Sequence, residues 1–351
     1  MSTHQTNTPH PKGEAGRKPL ILLTIALILL AVANILWGSL DIPVRDVWHI
    51  VCGGEVEGHP AWSIIVRQGR LPQMLTALLT GAALGTCGLL LQTAFRNPLA
   101  GPSILGIDAG ANLGVAIVLL FLSGTATIGS LTIGGHLLVV VAAMCGALSI
   151  MALLMVLSKV LRSQVMLLIT GVIISYVTSS IIQLLNYSAT EQGVHSFVIW
   201  GMGNFASVGI ERLPVFCVLS CIGLLLALLL VKPLDALLLG DRYAENLGIR
   251  IGRMRQLLLL VTGLLTATTT AFCGPISFIG LAVPHLARLT LGTAWHRTLL
   301  PATMLIGANL ALVCNLLSTL PRDGSIIPIS VITPLIGAPV VLHVILRQKS
   351  S

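Results

Sequence analysis

The sequence predicts an all-α membrane protein with ten transmembrane helices and both termini in the cytoplasm. Three observations lead to this prediction. Of the 351 residues, 55% are hydrophobic and only 9% are charged, whereas soluble domains are roughly 45–50% apolar and about 25% charged. The apolar residues form long stretches, and about 17 to 25 residues are enough for an α-helix to cross roughly 30 Å of hydrocarbon. Lysine and arginine are unevenly divided between the loops that join these stretches.

Ten apolar segments are candidates for membrane spans. Two of them are short, and the second of these is also interrupted by Pro284, His285 and Arg288. The ten segments are Leu20–Trp37, Met74–Phe95, Ser103–Leu122, Leu131–Leu157, Val165–Tyr187, Val215–Val231, Leu257–Phe272, Ile276–Leu291, Leu299–Leu320 and Ile326–Leu346.

The basic residues test the number of spans, because Lys and Arg concentrate in short cytoplasmic loops. With ten spans and an internal N-terminus, fifteen of the 20 Lys and Arg residues lie inside and five lie outside. If Ile276–Leu291 is not a span, the division falls to twelve against eight. Ten spans therefore fit the charges better. The five outside residues are Arg45, Arg67, Arg70, Arg212 and Arg322.

The chain divides into a short tail and one membrane domain. Residues 1–19 are polar, and we expect them to form a disordered cytoplasmic tail. Residues 20–347 hold the ten segments, the first of which is longer than the about 7 to 15 residues of a signal-peptide core and favours an uncleaved helix. The loop 41–70 is the longest outside segment, and its tryptophans and acidic residues predict an ordered surface at the membrane rim.

Several function classes are disfavoured by composition and motifs. The basic residues are scattered among apolar runs and form no continuous patch, which argues against nucleic-acid binding. The seven cysteines lack the spacing of a zinc site, so no metal site is predicted. The sequence contains no H-E-x-x-H, G-x-S-x-G or G-x-x-x-x-G-K-S/T motif, so neither catalytic residues nor a nucleotide site is predicted in this chain.

Asp108 is the main ionisable residue within a predicted span. It lies near the cytoplasmic start of its helix, where the helix dipole favours a carboxylate, so a structural role is favoured over a functional one. An ion- or proton-coupled carrier is expected to hold several buried acids along its path. Their scarcity favours an external energy source, while a coupled secondary transporter and an intramembrane enzyme remain as alternatives.

Glycines spaced four residues apart predict close helix packing. Gly81 and Gly85 form one pair, and Gly106, Gly110 and Gly114 form a ladder on one helix face. Small residues at this spacing let two membrane helices approach closely. We interpret both sets as architecture rather than as a binding site.

The stretch LLLGDRYAENLGIRIGRMR at residues 237–255 is the most highly charged part of the chain. It lies in a predicted cytoplasmic loop, residues 232–256, where charges alternate with leucine and isoleucine. The glycines predict a short helix entered from Gly240 and ended at Gly248. Apolar residues within a polar rim are typical of a protein-docking surface. A solvated loop, or a loop lying on anionic lipid, is the alternative.

Further motifs occur in a fixed order along the chain. They are RLP at 70–72, GAAL at 81–84, NPLAGPSILGI at 97–107, the charged stretch, GPISFIGLAVPHLAR at 274–288 and LIGAP at 335–339. Together they resemble the FecCD (BtuC-like) family of ABC importer permeases from about residue 20 to residue 347. The resemblance implies the type II importer permease fold in the inner membrane of a bacterium, and import of an iron-siderophore, haem or cobalamin.

The resemblance also implies partners. A permease of this family works as a homodimer or pseudo-dimer with a path at the subunit interface. Two cytoplasmic ATPases bind ATP and magnesium, so the permease itself is expected to hold no cofactor. A periplasmic or surface substrate-binding protein delivers the ligand to the outer face.

Individual residues receive expected roles from the same resemblance. Residues expected in a cleft of the ATPase are Leu239, Gly240, Asp241, Ala244, Leu247 and Gly248. Candidates for docking the binding protein are Arg67, Arg70 and Arg322. Candidates for lining the path are Thr170, Ser175, Thr178 and Ser179, although Ser and Thr in membrane helices also bond their own backbone. Motif residues with an expected structural role are Asn97, Pro98, Gly274, Pro275, Pro284, His285, Gly337 and Pro339.

Two departures from the family pattern concern the outer side. Gln73 follows RLP where the family often has arginine, which removes one docking charge. Before the last segment, Ile326, Ser330 and Pro334 replace an acid, a glycine and an alanine. We expect a ferric chelate as the substrate and a homodimer as the assembly, while the sequence leaves the identity of the chelate open.

Overall fold

The computed structural model describes residues 17–38, 40–122, 125–128, 131–161, 163–321 and 326–349. Most of the predicted tail and Arg322 lie outside these ranges. Within them the chain is mostly helical.

The described residues form fifteen α-helices and one β-hairpin. The helices are α1 Arg17–Leu36, α2 Val44–Val51, α3 Pro60–Ile64, α4 Leu71–Phe95, α5 Ile107–Ala116, α6 His136–Val160, α7 Gln164–Ser188, α8 Glu191–Gly201, α9 Leu213–Leu229, α10 Val231–Leu238, α11 Asp241–Asn246, α12 Ile251–Cys273, α13 Ile279–Leu291, α14 His296–Ser318 and α15 Ile329–Lys349. The hairpin pairs β1 Thr125–Ile128 with β2 Leu131–Gly134 in antiparallel register. Short π-helical turns cover Ile65–Arg70 and Ile117–Phe121, and 3-10 turns cover Pro102–Leu105 and Phe205–Ser207.

Apolar helical units in the described residues coincide one to one with the ten predicted segments. Six are long and apolar enough to cross a membrane, and α9 with α10 forms a seventh that is bent by 48°. Three shorter apolar helices, Ile107–Phe121, Ile279–Leu291 and Ile329–Leu342, match the remaining segments. The six long units are Lys18–Leu36, Pro60–Phe95, His136–Val160, Gln164–Ser188, Ile251–Cys273 and His296–Ser318. A multi-pass membrane protein of mostly helical structure is therefore confirmed.

The prediction of a helix from Leu131 is wrong at its start. Leu131–Gly134 forms β2, and α6 begins only at His136. Gly135 has a φ of 68°, a left-handed conformation that suits glycine and separates the strand from the helix. Both strands contain the β-branched residues threonine and isoleucine, which favour strands. The fold is thus predominantly rather than entirely α-helical.

Helices α4, α12 and α14 lie at the centre of the helical domain. In the most apolar part of Pro60–Phe95, 83% of the residues are buried, against 6% in Lys18–Leu36 and 17% in Gln164–Ser188. Because α4 contacts α12, α13 and α14, it carries much of the interior packing. The peripheral helices α1 and α7 present apolar side chains at the surface, as membrane helices do where they meet lipid or another subunit.

Gly81 and Gly110 lie where two helices cross closely. A Cβ atom added to Gly81 would collide with the carbonyl oxygen of Gly307 in α14, and one added to Gly307 would collide with that of Gly81. Gly110 in α5 meets the carbonyl group of Gly146 in α6 in the same way. These contacts confirm the interpretation of the glycine spacing as helix packing. Gly106 does not share a helix face with Gly110 and Gly114, because it precedes α5 and has a φ of 77°. The prediction of one ladder is therefore wrong at Gly106.

The loop between α1 and α4 is a small folded unit. In α2, Val47 and Ile50 are buried against Ile42 and Val66, while Trp48 on the outer side of this helix is 62% exposed. An exposed tryptophan beside an apolar helix suits the membrane–water interface. The predicted order of this loop is confirmed.

Asp108 lies in the first turn of α5. Its carboxylate oxygens accept hydrogen bonds from Ser103 at 2.9 Å and from Thr270 of α12 at 2.7 Å. The start of a helix favours a negative charge. Asp108 therefore joins α5 to α12, in agreement with the structural role favoured from the sequence.

Candidate functional site

The charged loop of residues 232–256, which we name the coupling segment, contains two short helices. Helix α10 ends at Leu238, and α11 begins at Asp241. Gly240 between them has a φ of 113°, and Gly248 after α11 has a φ of 83°. Most side chains are disfavoured at such φ values. The two glycines therefore set how the chain enters and leaves α11, and the short helix predicted between them is confirmed.

Helix α11 and the residues beside it expose apolar side chains on the protein surface. Leu239 is 53% exposed, Tyr243 is 50% exposed and Leu247 is 59% exposed. Apolar side chains surrounded by charges are the surface expected of a protein interface. Ala244 is fully buried, so the expectation that Ala244 enters an ATPase cleft is wrong. Its methyl group packs α11 against the helical domain instead.

Asp241 is held by two arginines of the same chain. Its carboxylate lies 2.6 Å from Nη2 of Arg96 and 3.2 Å from Nη2 of Arg255. Arg96 is the residue that ends α4, with a φ of 45°, and Arg255 lies near the start of α12. Asp241 therefore fixes α11 to the ends of two central helices, a role that sequence reasoning missed.

Asp235 extends from α10 to a third central helix. Its Oδ1 lies 2.6 Å from the backbone nitrogen of His296, the first residue of α14, and 3.0 Å from Nδ1 of the same residue. The other ring nitrogen of His296 lies 2.8 Å from Oγ1 of Thr93 in α4. Sequence reasoning also missed this series of hydrogen bonds. The signals visible in the sequence were Asp235 in the charged loop and His296 near the start of an apolar segment.

The turn after α4 carries the first motif residues. The side chain of Asn97 accepts a hydrogen bond from the N–H of Leu99 at 2.9 Å, as in an Asx turn. The carbonyl oxygen of Pro98 lies 2.9 Å from Nε2 of His285 in α13. Because a carbonyl oxygen only accepts, Nε2 carries a proton. This partly buried contact joins the turn to α13.

The later motif residues lie where helices meet. Gly274 ends α12 with a φ of 76°, and a Cβ atom there would lie 2.6 Å from the carbonyl oxygen of Trp200 in α8. A Cβ atom at Gly337 of α15 would lie 2.8 Å from Cβ of Phe278. Glycine at both positions lets neighbouring elements approach. The remaining motif prolines are Pro275, which follows Gly274, and Pro284 and Pro339, which lie inside α13 and α15.

The sequence profile of the FecCD transport family matches residues 24–347. This chain belongs to the FecCD transport family. The match covers every helix from α2 to α14 and confirms the resemblance derived from the ordered motifs. A FecCD protein is a membrane transport subunit and not an enzyme.

Named FecCD relatives are similar over almost their full length. The molybdate import system permease MolB of Haemophilus influenzae is 35% identical, over 92% of this chain and 93% of that protein. The hemin transport system permease HmuU of Yersinia pestis is 33% identical, over 95% of this chain and 96% of that protein. The vitamin B12 import system permease BtuC of Klebsiella pneumoniae is 32% identical, over 97% of each chain. Because the named substrates differ, the relatives show the class of transporter without its cargo.

A solved structure supports the same fold. It is a metal-chelate type ABC transporter in an inward-facing conformation, 33% identical to this chain, with a TM-score of 0.80. The similarity covers 95% of this chain and 99% of the other. The fold of this chain is therefore that of an ABC transporter permease.

Arg70 is not the surface charge that the sequence suggested. It is 6% exposed and donates hydrogen bonds to the carbonyl oxygens of Ile35 at 3.1 Å and Leu36 at 2.9 Å. The last carbonyl groups of a helix have no partner within it, so the Arg70 guanidinium completes the end of α1. The expectation that Arg70 docks a binding protein is therefore wrong.

Arg67 is half-buried beside the same loop. It donates hydrogen bonds to the carbonyl oxygens of Ile50 at 3.0 Å and Gly54 at 2.8 Å, which tie α2 to the turn before α4. Arg322 lies outside the described residues. Arg67 and Arg322 stay as predictions for docking of a binding protein.

The path candidates on α7 face different directions. Thr178 is 4% exposed, so it faces the interior of the subunit and the expectation that it lines the path is wrong. Thr170 and Ser175 are half-buried, and like Thr178 they donate to carbonyl oxygens four residues earlier. Ser179, the residue after Thr178, is exposed. Thr170, Ser175 and Ser179 stay as predictions for lining the path.

Gln73, a departure from the family pattern, has an internal partner. Its Nε2 donates to Oδ1 of Asn315 in α14 at 2.8 Å, and Asn315 donates in turn to Oδ1 of Asn34 in α1 at 2.8 Å. The exchange of arginine for glutamine thus removes a charge and adds a hydrogen bond that joins three helices. Asn34 and Asn315 were visible from sequence as polar residues inside apolar segments.

Proposed function

We propose that this chain is the permease subunit of an ATP-driven importer, and that a separate cytoplasmic ATPase docks on the coupling segment. One observation carries the proposal. Helix α11 is flanked by the exposed Leu239 and Leu247, and the coupling segment is fixed to α4, α12 and α14 through Asp241 and Asp235. A surface that receives movement from a partner needs exposed contacts and a firm connection to the helices that respond. The coupling segment meets both needs.

The proposed topology has ten crossings and both termini in the cytoplasm. The ten apolar helical units support it, as does the division of basic residues into fifteen inside and five outside. In this arrangement residues 20–347 form the membrane domain, and residues 1–19, of which 17–19 begin α1, lie in the cytoplasm. The coupling segment then lies on the cytoplasmic side of a bacterial inner membrane, where the ATPase binds ATP and magnesium.

The proposed assembly contains two copies of this chain and a binding protein. Helix α7 exposes large side chains, among them Val165 at 63%, Tyr176 at 73% and Leu184 at 67%. Such a face suits contact with lipid and with a second copy, and it contains Ser179 beside the proposed path. Arg67 and Arg322 are the proposed outer charges, which would guide the approach of a binding protein more than they add affinity.

The proposed cargo is a chelated iron compound, either a ferric siderophore or haem. The relative named as a hemin permease supports it, as does the Fe(3+) dicitrate permease FecD of Escherichia coli, which is 33% identical. The path candidates are hydroxyl side chains without a strong metal ligand, which suits a ligand that arrives already chelated. Cobalamin is the second candidate because of the relative named as a vitamin B12 permease.

Uptake in cells that lack their native importers tests this function. The cells express the permease with its ATPase and binding protein, and receive labelled ferric siderophore, haem, cobalamin or molybdate in separate assays. We expect accumulation of an iron chelate that is lost when the ATPase cannot hydrolyse ATP. Accumulation of cobalamin or molybdate instead would replace the proposed cargo. Uptake that survives the inactive ATPase and collapses with the ion gradient would show a secondary transporter and contradict the proposal.

A further inference from the structure

Hydrogen bonds connect Asp235, His296 and Thr93, and the donor of each bond can be assigned. A carboxylate only accepts hydrogen bonds, so the backbone N–H and the Nδ1–H of His296 both donate to Asp235. The Thr93 hydroxyl has one proton, and the carbonyl oxygen of Leu89 lies 2.9 Å from its Oγ1. That proton goes to Leu89 when Nε2 is protonated and to Nε2 when it is not. In either state the contact between Asp235 and His296 persists.

Asp235 also caps α14 from a different helix. His296 is the first residue of α14, and its N–H has no partner within the helix. The residue before it, Trp295, makes no side-chain capping bond. A carboxylate at a helix start satisfies a free N–H and interacts favourably with the helix dipole. Helix α10 therefore supplies the cap that α14 lacks.

This contact is more protected than the ion pair of Asp241 with Arg96. The side chains of Arg96 and Asp241 are 48% and 36% exposed, so water and salt weaken their attraction. The side chains of His296 and Asp235 are 1% and 18% exposed. A hydrogen bond to a charged group strengthens as water is excluded, and it holds one geometry. A displacement of α10 therefore moves the start of α14 by a similar distance.

We propose that Asp235 and His296 are positioning residues that transmit ATP-driven movement from the coupling segment to α14. This inference rests on the proposed docking of an ATPase. Because α14 and α4 are in backbone contact at Gly81 and Gly307, displacement of the start of α14 carries both helices as one body. Docking and transmission are thus assigned to different residues of the coupling segment.

Native cysteines report this movement. Cys314 in α14 and Cys87 in α4 are buried, whereas Cys52, which follows α2 in the loop between α1 and α4, is exposed. A buried thiol reacts only when its surroundings open, so its modification rate follows local structural change. The permease–ATPase complex in lipid nanodiscs is treated with N-ethylmaleimide, with and without ATP and magnesium. Mass spectrometry then gives the modification rate of each cysteine, with Cys52 as the reference, and ATPase affinity is measured in parallel.

Three variants separate transmission from packing. Asp235→Ala removes the cap and the side-chain contact. His296→Asn places an amide near the position of Nδ1 and keeps a donor toward Asp235. His296→Gln places an amide near the position of Nε2, so it keeps the side-chain contact with Thr93 and loses the side-chain contact with Asp235. The backbone N–H of residue 296 still donates to Asp235 in both His296 variants. A role in packing alone predicts similar behaviour of the two His296 variants.

We expect ATP to change the modification rates of Cys314 and Cys87 several-fold in the wild type. The change is lost in Asp235→Ala, reduced in His296→Gln and kept in His296→Asn, while all variants bind the ATPase as the wild type does. The His296 pair decides the question if Asp235→Ala does not fold.

Several results would overturn the transmission role. They are an absent ATP response in the wild type, an unchanged response in Asp235→Ala, and an equal loss in both His296 variants. Loss of ATPase affinity in Asp235→Ala would make Asp235 a docking residue instead. A wild type that binds no ATPase would contradict the proposed function itself.

Discussion

Asp241 of α11 and Arg96 at the end of α4 form an ion pair with an N–O distance of 2.6 Å. Arg255 of α12 joins the same carboxylate at 3.2 Å. The charge that looked most suited to an external partner is therefore engaged within the chain. We propose that Asp241 acts on an ATPase indirectly, because it fixes the direction in which α11 presents Leu239 and Leu247.

The first prediction concerns this ion pair. We expect Arg96→Gln and Asp241→Asn each to weaken ATPase binding, and the double variant to be no weaker than the stronger single effect. Exposed ion pairs contribute about 0.2–1 kcal/mol, and the coupling between the two substitutions should decline as salt is raised. The coupling is measured from the affinity of the purified ATPase for the wild type, the two single variants and the double variant. Glu191→Gln, which neutralises an exposed acid of α8 outside the coupling segment, is the control, and fully additive single effects would contradict the indirect role.

The second prediction concerns helix packing. Gly307→Ala adds a methyl group where the carbonyl oxygen of Gly81 already lies. Overpacking of this kind costs about 1–3 kcal/mol, so we expect a clear fall in the midpoint of thermal unfolding in detergent. Gly252→Ala is the matched control, because a Cβ atom there has nothing within 4 Å. Equal midpoints for the two variants would show that α4 and α14 do not approach as described.

The third prediction tests whether Arg70 stabilises the end of α1 rather than docking the binding protein. Arg70→Gln leaves carbonyl groups at the end of α1 without their partner, and loss of hydrogen bonds to a charged group costs about 1.5–3 kcal/mol. We expect lower thermal stability and no change in how the affinity of the binding protein depends on salt. Titration of the binding protein at several salt concentrations, beside a thermal melt, measures both. A stable variant with a weakened, salt-dependent affinity would return Arg70 to the outer interface.

The fourth prediction concerns the path. Ser179 is exposed on α7, whereas Thr178 is buried and bonded to its own backbone. We expect Ser179→Trp to block uptake of the transported chelate and Thr178→Val, which keeps the shape of the side chain, to preserve most of it. Uptake in whole cells is compared at equal permease levels in the membrane. Normal uptake by Ser179→Trp would remove this face of α7 from the path.

Features that depend on local pattern were predictable from the sequence. The apolar segments, the glycine crossing at Gly81 and the short helix after Gly240 each follow from composition or spacing within one stretch of chain. The order of the motifs also identified the family. Such features require no knowledge of which distant residue lies opposite.

The errors arose where a distant partner decides the role of a residue. Arg70 looked like a surface charge because sequence does not show that the end of α1 meets its guanidinium. Thr178 and Ala244 were placed on functional surfaces, although the direction of a side chain around a helix depends on its neighbours. Gln73 looked like a lost charge until Asn315 was found opposite it. The hairpin before α6 was missed because its strands continue an apolar run.

The most direct test of the account is the affinity of the ATPase for permeases with an altered coupling segment. Leu239→Asp and Leu247→Asp place a charge on exposed apolar side chains, and Leu247→Met is the matched control that keeps an apolar surface. We expect each aspartate to weaken ATPase binding by about tenfold or more, equivalent to roughly 1.4 kcal/mol, while insertion and thermal stability are unchanged and Leu247→Met binds normally. Wild-type affinity in both aspartate variants would show that the ATPase does not dock on the coupling segment.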